Sequence, residues 1–110
     1  MDFDAYQKLA LRTLNTDLSH RERVSMSALG LAGEAGEVAD EIKKVLYHGH
    51  EFDREELEKE IGDVLWYCAV LAEQYELKLS AIAAQNIAKL QARYPEGFSV
   101  EASRNRNDDA

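Results

Sequence analysis

Two acidic pairs, Glu34 with Glu37 and Glu60 with Asp63, each stand three residues apart inside an apolar pattern of helical period. Residues at that spacing share one face of an α-helix, one turn above the other. The pairs therefore call for two helices, and packing those helices face to face brings the four carboxylates to one point. Acid pairs on solvated helix faces are common, which is the plain alternative. The neighbours argue against it. Leu31, Ala32 and Ala35 surround the first pair, and Ile61, Val64 and Leu65 surround the second. Carboxylates drawn into apolar surroundings are costly unless something compensates their charge. A small hard cation does so, because Mg²⁺ prefers oxygen ligands and keeps waters or phosphates in its remaining positions. Glu41 and Glu56, four residues from Glu37 and Glu60, lengthen the two acidic rows.

The rest of the chain reads as a helical frame for these rows. Phe3, Tyr6, Leu9, Ala10 and Leu14 recur at spacings of three and four, predicting a first helix from a cap at Asp2 to about Leu18, with Thr13, Asn15 and Thr16 weakening its end. Ser19 with Glu22 has the spacing of a capping box and opens a long helix to about Tyr47. Gly30, Gly33 and Gly36 lie inside it, each costing roughly 1 kcal/mol relative to alanine. Either bare backbone lets another helix or a ligand approach there, or the helix breaks. Gly49 suits a left-handed stop. Asp53 with Glu56 opens a third helix, and Ser80 is the expected cap of a fourth, which Pro95 and Gly97 end. Without a strand pattern, the expectation is an all-α four-helix bundle over residues 1–98, followed by a polar, flexible tail over 99–110. Both central helices carry more apolar surface than so short a chain can cover, which predicts a homodimer or homotetramer.

Charge and cysteine usage narrow the function. With 21 acidic against 13 basic residues the net charge is −8, which disfavours nucleic acid as a partner. A free nucleotide stays open as a ligand, with a divalent ion bridging phosphate to carboxylate. No apolar run spans a bilayer, and MDFDAYQ has neither the basic nor the apolar region of a signal peptide. Cys68, the sole cysteine, reads as a reduced thiol of a cytoplasmic protein. No Ser-His-Asp set, phosphate-cradling loop or dinucleotide fingerprint is present.

The segments GLAGEAGEVADEIKK (residues 30–44), EIGDVLWY (60–67) and NIAKLQARYPEGF (86–98) together closely resemble the MazG-like all-α nucleoside triphosphate pyrophosphohydrolases. That family carries EExxE followed by ExxD. The later acids of EExxE fall on Glu34 and Glu37, and ExxD falls on Glu60 and Asp63, while Gly33 stands where the motif has its leading glutamate. The resemblance implies hydrolysis of a (deoxy)nucleoside triphosphate between its α and β phosphorus atoms, giving monophosphate and pyrophosphate. It also implies one to three Mg²⁺ ions, replaceable by Mn²⁺, held by Glu34, Glu37, Glu60 and Asp63; on mechanistic grounds Glu34 or Glu37 would take the proton of the attacking water. Two other readings remain: hydrolysis of phosphoribosyl-ATP by a related enzyme, and a non-catalytic helical module that binds metal structurally.

Supporting positions follow from spacing. Tyr67 lies four residues after Asp63 and suits either a nucleotide contact or a core tyrosine with a wet hydroxyl. Asn86, Lys89 and Arg93 share a helix face and can offer an amide and two cations to sugar and phosphates across a subunit boundary, or be solvated. Lys43, Lys44, His48 and His50 fit a helix C-terminus, where cations oppose the dipole, better than a ligand role. Trp66 suits a base pocket or an interface equally.

Overall fold

A computed structural model describes residues 1–106. Its regular structure is helical: α1 (Phe3–Ala10) with a 3₁₀ turn at Leu11–Thr13, α2 (His20–Tyr47), α3 (Arg54–Gln74), α4 (Leu79–Arg93) and a short α5 (Val100–Arg104). No described helix is long and apolar enough to cross a membrane.

The caps explain most boundaries. Asp2 accepts the Ala5 amide at 2.8 Å and starts α1. The first helix is shorter than its apolar spacing predicts. Asn15 accepts the Asp17 amide at 3.0 Å, and this local turn competes with helix at the polar stretch beyond Thr13. Ser19 and Glu22 form both halves of the expected capping box, at 3.2 and 2.9 Å. Gly49, at φ +72°, ends α2 as expected, and the His50 amide returns to the Lys44 carbonyl at 3.1 Å. His48 and His50 are thus part of a helix end. Asp53 caps α3 through the Glu56 amide at 3.1 Å.

Ser80 does not cap the fourth helix. That helix begins one residue earlier, and the Ser80 hydroxyl donates to Asp4 at 2.6 Å. The cap comes from the opposite end of the chain: Gln7 Oε1 accepts the Leu79 amide at 2.8 Å. Gln7 Nε2 donates to the carbonyls of Ala69, at 3.2 Å, and Leu77, at 3.0 Å. This buried amide ties α1 to both sides of the α3–α4 turn. Around it lies a small core of Ala10, Ala69 and Leu79, flanked by Tyr6, Leu65, Trp66 and Cys68. Burial raises the Cys68 thiol above its ordinary value, which favours an uncharged, unreactive form.

The four helices expected of the bundle are present, and their packing is uneven. Helices α2 and α3 pack along each other, whereas α4 leans on α1 and on α3. The result is a long hairpin with smaller helices at its foot. Within the segment expected to be a flexible tail, Ser99 accepts the Ala102 amide at 3.0 Å and starts α5. Positions 107–110 of that expected tail lie outside the described residues.

Candidate metal centre

The α2–α3 hairpin positions the acidic rows. Helix α2 runs unbroken through all three of its glycines, so Glu34 and Glu37 keep a helical spacing. The antiparallel α3 presents Glu60 and Asp63 to the same seam. Carboxylate oxygens of Glu34, Glu60 and Asp63 all lie within 4.8 Å of one another. Glu34 and Glu60 are half-buried and Asp63 is exposed. Glu37, the fourth expected ligand, stands outside this group and is exposed. Its charge nevertheless acts on Glu60.

Glu60 reports the electrostatics. Partial burial raises its pKa, a hydrogen bond donated to Glu34 and the charge of Glu34 raise it further, and the charge of Glu37 and a hydrogen bond donated to Glu56 add to the effect, reaching about 7. A carboxyl that keeps its proton near neutrality among other acids marks an excess of negative charge. Glu56 belongs to this cluster. Its signal in the sequence was its place four residues before Glu60. The donors are all oxygen, come from two helices and carry excess negative charge. They fit a hard divalent cation, whose charge does for all of them what one proton does for Glu60.

The neighbouring expectations divide. Tyr67 is half-buried, and its ring lies against the α2 backbone at Gly30, one turn from Glu34. The Trp66 indole donates to the Ala10 carbonyl at 3.0 Å and to Thr13 Oγ1 at 2.9 Å, pinning the first helix to the third. Lys43 and Lys44 pair with Asp40 at 3.3 and 3.0 Å, so they belong to the solvated face of α2. Asn86 stands on the wall of an apolar groove of about 710 Å³ whose opposite side includes Ala28, Leu31 and Leu65. Lys89 is exposed, and Arg93 lies 5.8 Å from the centre of the Tyr94 ring, at the turn that ends α4.

The MazG nucleotide pyrophosphohydrolase domain matches residues 23–98. The chain belongs to this family. The MazG match runs from the first turn of α2 through α3 and α4, and it includes every carboxylate of the centre. A relative 37% identical over 114 residues, the Gene 37 protein of Mycobacterium phage L5, covers 96% of this chain and 100% of its own length. No solved structure matches the chain. The MazG match begins after α1, although α1 supplies Gln7 and a main-chain acceptor for Trp66.

Proposed function

We propose that this MazG protein hydrolyses (deoxy)nucleoside triphosphates to monophosphate and pyrophosphate with Mg²⁺ held by Glu34, Glu60 and Asp63. The observation that carries the reading is the convergence of these three carboxylates from two helices. When bound, the cation would neutralise the triphosphate and favour attack on its α-phosphorus. Glu34, Glu60 and Asp63 fix where the phosphates come to rest. Partial burial and the acids beside it raise the Glu60 pKa to about 7, so a cation competes there with a proton. Glu37 lies outside the group of three and is exposed, which leaves its carboxylate available to take the proton of the attacking water. Tyr67 borders the site and would contact the nucleotide.

The remaining substrate groups call for a second copy of the chain. The protomer exposes 8323 Å², against about 6,100 Å² for a folded monomer of 12.4 kDa. Its radius of gyration is 17.1 Å, against about 13 Å for a compact chain of this length. Leu29, Leu46, Ile61 and Ile87 are all at least half exposed. A homo-oligomer covers these faces, and it offers Asn86, Lys89 and Arg93 a route to the phosphates of a neighbouring site.

The test is a panel of nucleoside and deoxynucleoside triphosphates with Mg²⁺, Mn²⁺ or chelator, with products separated by chromatography. Monophosphate with pyrophosphate, lost on chelation, is the expected result. Release of diphosphate and inorganic phosphate, or no turnover of any triphosphate, would overturn it. Turnover of phosphoribosyl-ATP alone would reassign the substrate.

A further inference from the structure

The three glycines of α2 look alike in the sequence and are unlike in the structure. A side chain built at Gly33 or Gly36 meets nothing within 4 Å. One built at Gly30 overlaps Cε1 and Cζ of Tyr67 and comes to 2.6 Å from its Cδ1. Ordinary contact begins near 3.4 Å. A methyl group at Gly30 therefore requires the ring, or the helix that carries it, to retreat by about 1 Å. The ring also has an aromatic neighbour on its own helix. It meets the Trp66 indole edge-on, with centroids 5.0 Å apart and planes at 87°. That indole is itself held by Ala10 and Thr13.

The seat of the ring lies close to the carboxylates. Gly30 precedes Glu34 by four residues on α2, and Tyr67 follows Asp63 by four on α3. On both helices the step is about 6 Å along the axis. We propose that Gly30 is a positioning residue for the carboxylate site: its bare backbone seats Tyr67, and that seat sets how closely α2 and α3 approach where Glu34 meets Glu60 and Asp63. The inference rests on the reading of that cluster as a cation site. Mg²⁺ accepts its oxygens at about 2.0–2.1 Å with little tolerance. The three carboxylates bring oxygens within 4.8 Å of one another, and helices forced apart would widen that separation. Glycine in mid-helix costs roughly 1 kcal/mol against alanine, and at Gly30 the approach of α3 explains its presence.

The experiment is a double-mutant cycle on the full chain, read as Mn²⁺ affinity by electron paramagnetic resonance of the free ion, beside circular dichroism. The variants are Gly30→Ala, Tyr67→Ala and the two combined, with Gly33→Ala as the control of equal chemistry in open space. Gly30→Ala is expected to weaken Mn²⁺ binding at least tenfold in the wild-type background and less than threefold when Tyr67 is already alanine. Gly33→Ala is expected to change it less than twofold. An equal loss in both backgrounds, or wild-type affinity in a natively helical Gly30→Ala, overturns the role of Gly30 while leaving the cation site standing. If Gly30→Ala does not fold, folding of the double variant supports the seat and its failure to fold overturns it. A wild-type protein that binds no Mn²⁺ overturns the cation site and this inference with it.

Discussion

Two polar clusters share α3 and are built on opposite rules. At Ala69 the Gln7 amide is buried and satisfied, donating twice and accepting once, and it locks the foot of the hairpin. At Glu60 and Asp63 the acids are unsatisfied in the sense that matters: they face one another, and partial burial with the neighbouring acids raises the Glu60 pKa to about 7. A satisfied buried network rigidifies a fold. An unsatisfied cluster of like charges weakens it unless a ligand arrives, and such sites are typically functional. The difference predicts that damage to the first cluster costs stability and damage to the second costs activity.

The largest expected effect is at the acidic cluster. Asp63→Asn removes a charged ligand and should lower turnover of a triphosphate by at least about a hundredfold, equivalent to roughly 2.7 kcal/mol of transition-state stabilisation. The helical circular dichroism should be unchanged and apo unfolding no easier, since one repulsive charge has gone. Glu37→Gln should lose turnover with less loss of Mn²⁺ affinity, because Glu37 stands outside the group of three. Near-wild-type activity in both variants would remove the site assignment.

Gln7→Ala is the opposite experiment. It leaves the Leu77 carbonyl and the first amide of α4 without their Gln7 partner and removes a second donor from the Ala69 carbonyl, which lies within α3. A buried group left unpaired costs about 1–3 kcal/mol, and partial access of water to Leu77 moderates the sum. The expected loss is about 3 kcal/mol in chemical denaturation, with Mn²⁺ affinity per folded molecule nearly unchanged. A loss of cation affinity matching the Asp63 variant would mean that the clusters are not separable.

The pH dependence sharpens the same contrast. Glu60 has a folded-state pKa of about 7, above its ordinary 4.5, so the folded chain binds this proton more tightly than the unfolded chain. Its contribution to stability is full below about pH 4.5 and is lost as pH rises through 7. Glu22 and Asp40 are shifted the other way, by hydrogen bonds from Ser19 and from Lys44 and Lys43 respectively. Their contributions fall away only at acidic pH, outside that window. Apo unfolding midpoints should therefore fall between pH 5 and 8, and Glu60→Gln should flatten the fall. Added Mg²⁺ should restore most of the loss at pH 8. A midpoint that rises over this range in wild type and variant alike would remove Glu60 as the titrating group.

The two clusters also differ in how much of them a reader of the sequence could see. The acids announce themselves because each helix carries its pair at a local spacing, and α2 and α3 meet as adjacent antiparallel neighbours. Ser19 with Glu22 and Asp53 with Glu56 are legible for the same reason, being caps between residues three apart. Gln7 is not legible. Its partner Leu79 is 72 residues away, and no local pattern distinguishes a glutamine that caps a distant helix from a solvated one. Ser80 looked the better cap on local grounds, and the tertiary contact displaced it. The absence of Glu37 from the group of three was equally hidden: equal spacing gives equal faces, but the relative shift of α2 and α3 decides which carboxylates meet.

The smallest expected effect tests what lies over the acidic seam. Gly33 occupies the position of the motif's leading glutamate, in mid-helix, with nothing within 4 Å of a side chain built there. Alanine should then stabilise the chain by roughly 1 kcal/mol, a rise in melting temperature of about 4–8 °C for a domain of this size. In an isolated protomer nothing opposes that gain. Destabilisation by Gly33→Ala would mean that a neighbour fills the space in solution, and a second copy laid across the exposed apolar residues of α2 would supply one. The gain or loss should then depend on protein concentration, since only an interface obeys mass action. A melting temperature that rises equally at low and high concentration would place Gly33 in open water and the covered face of the hairpin elsewhere.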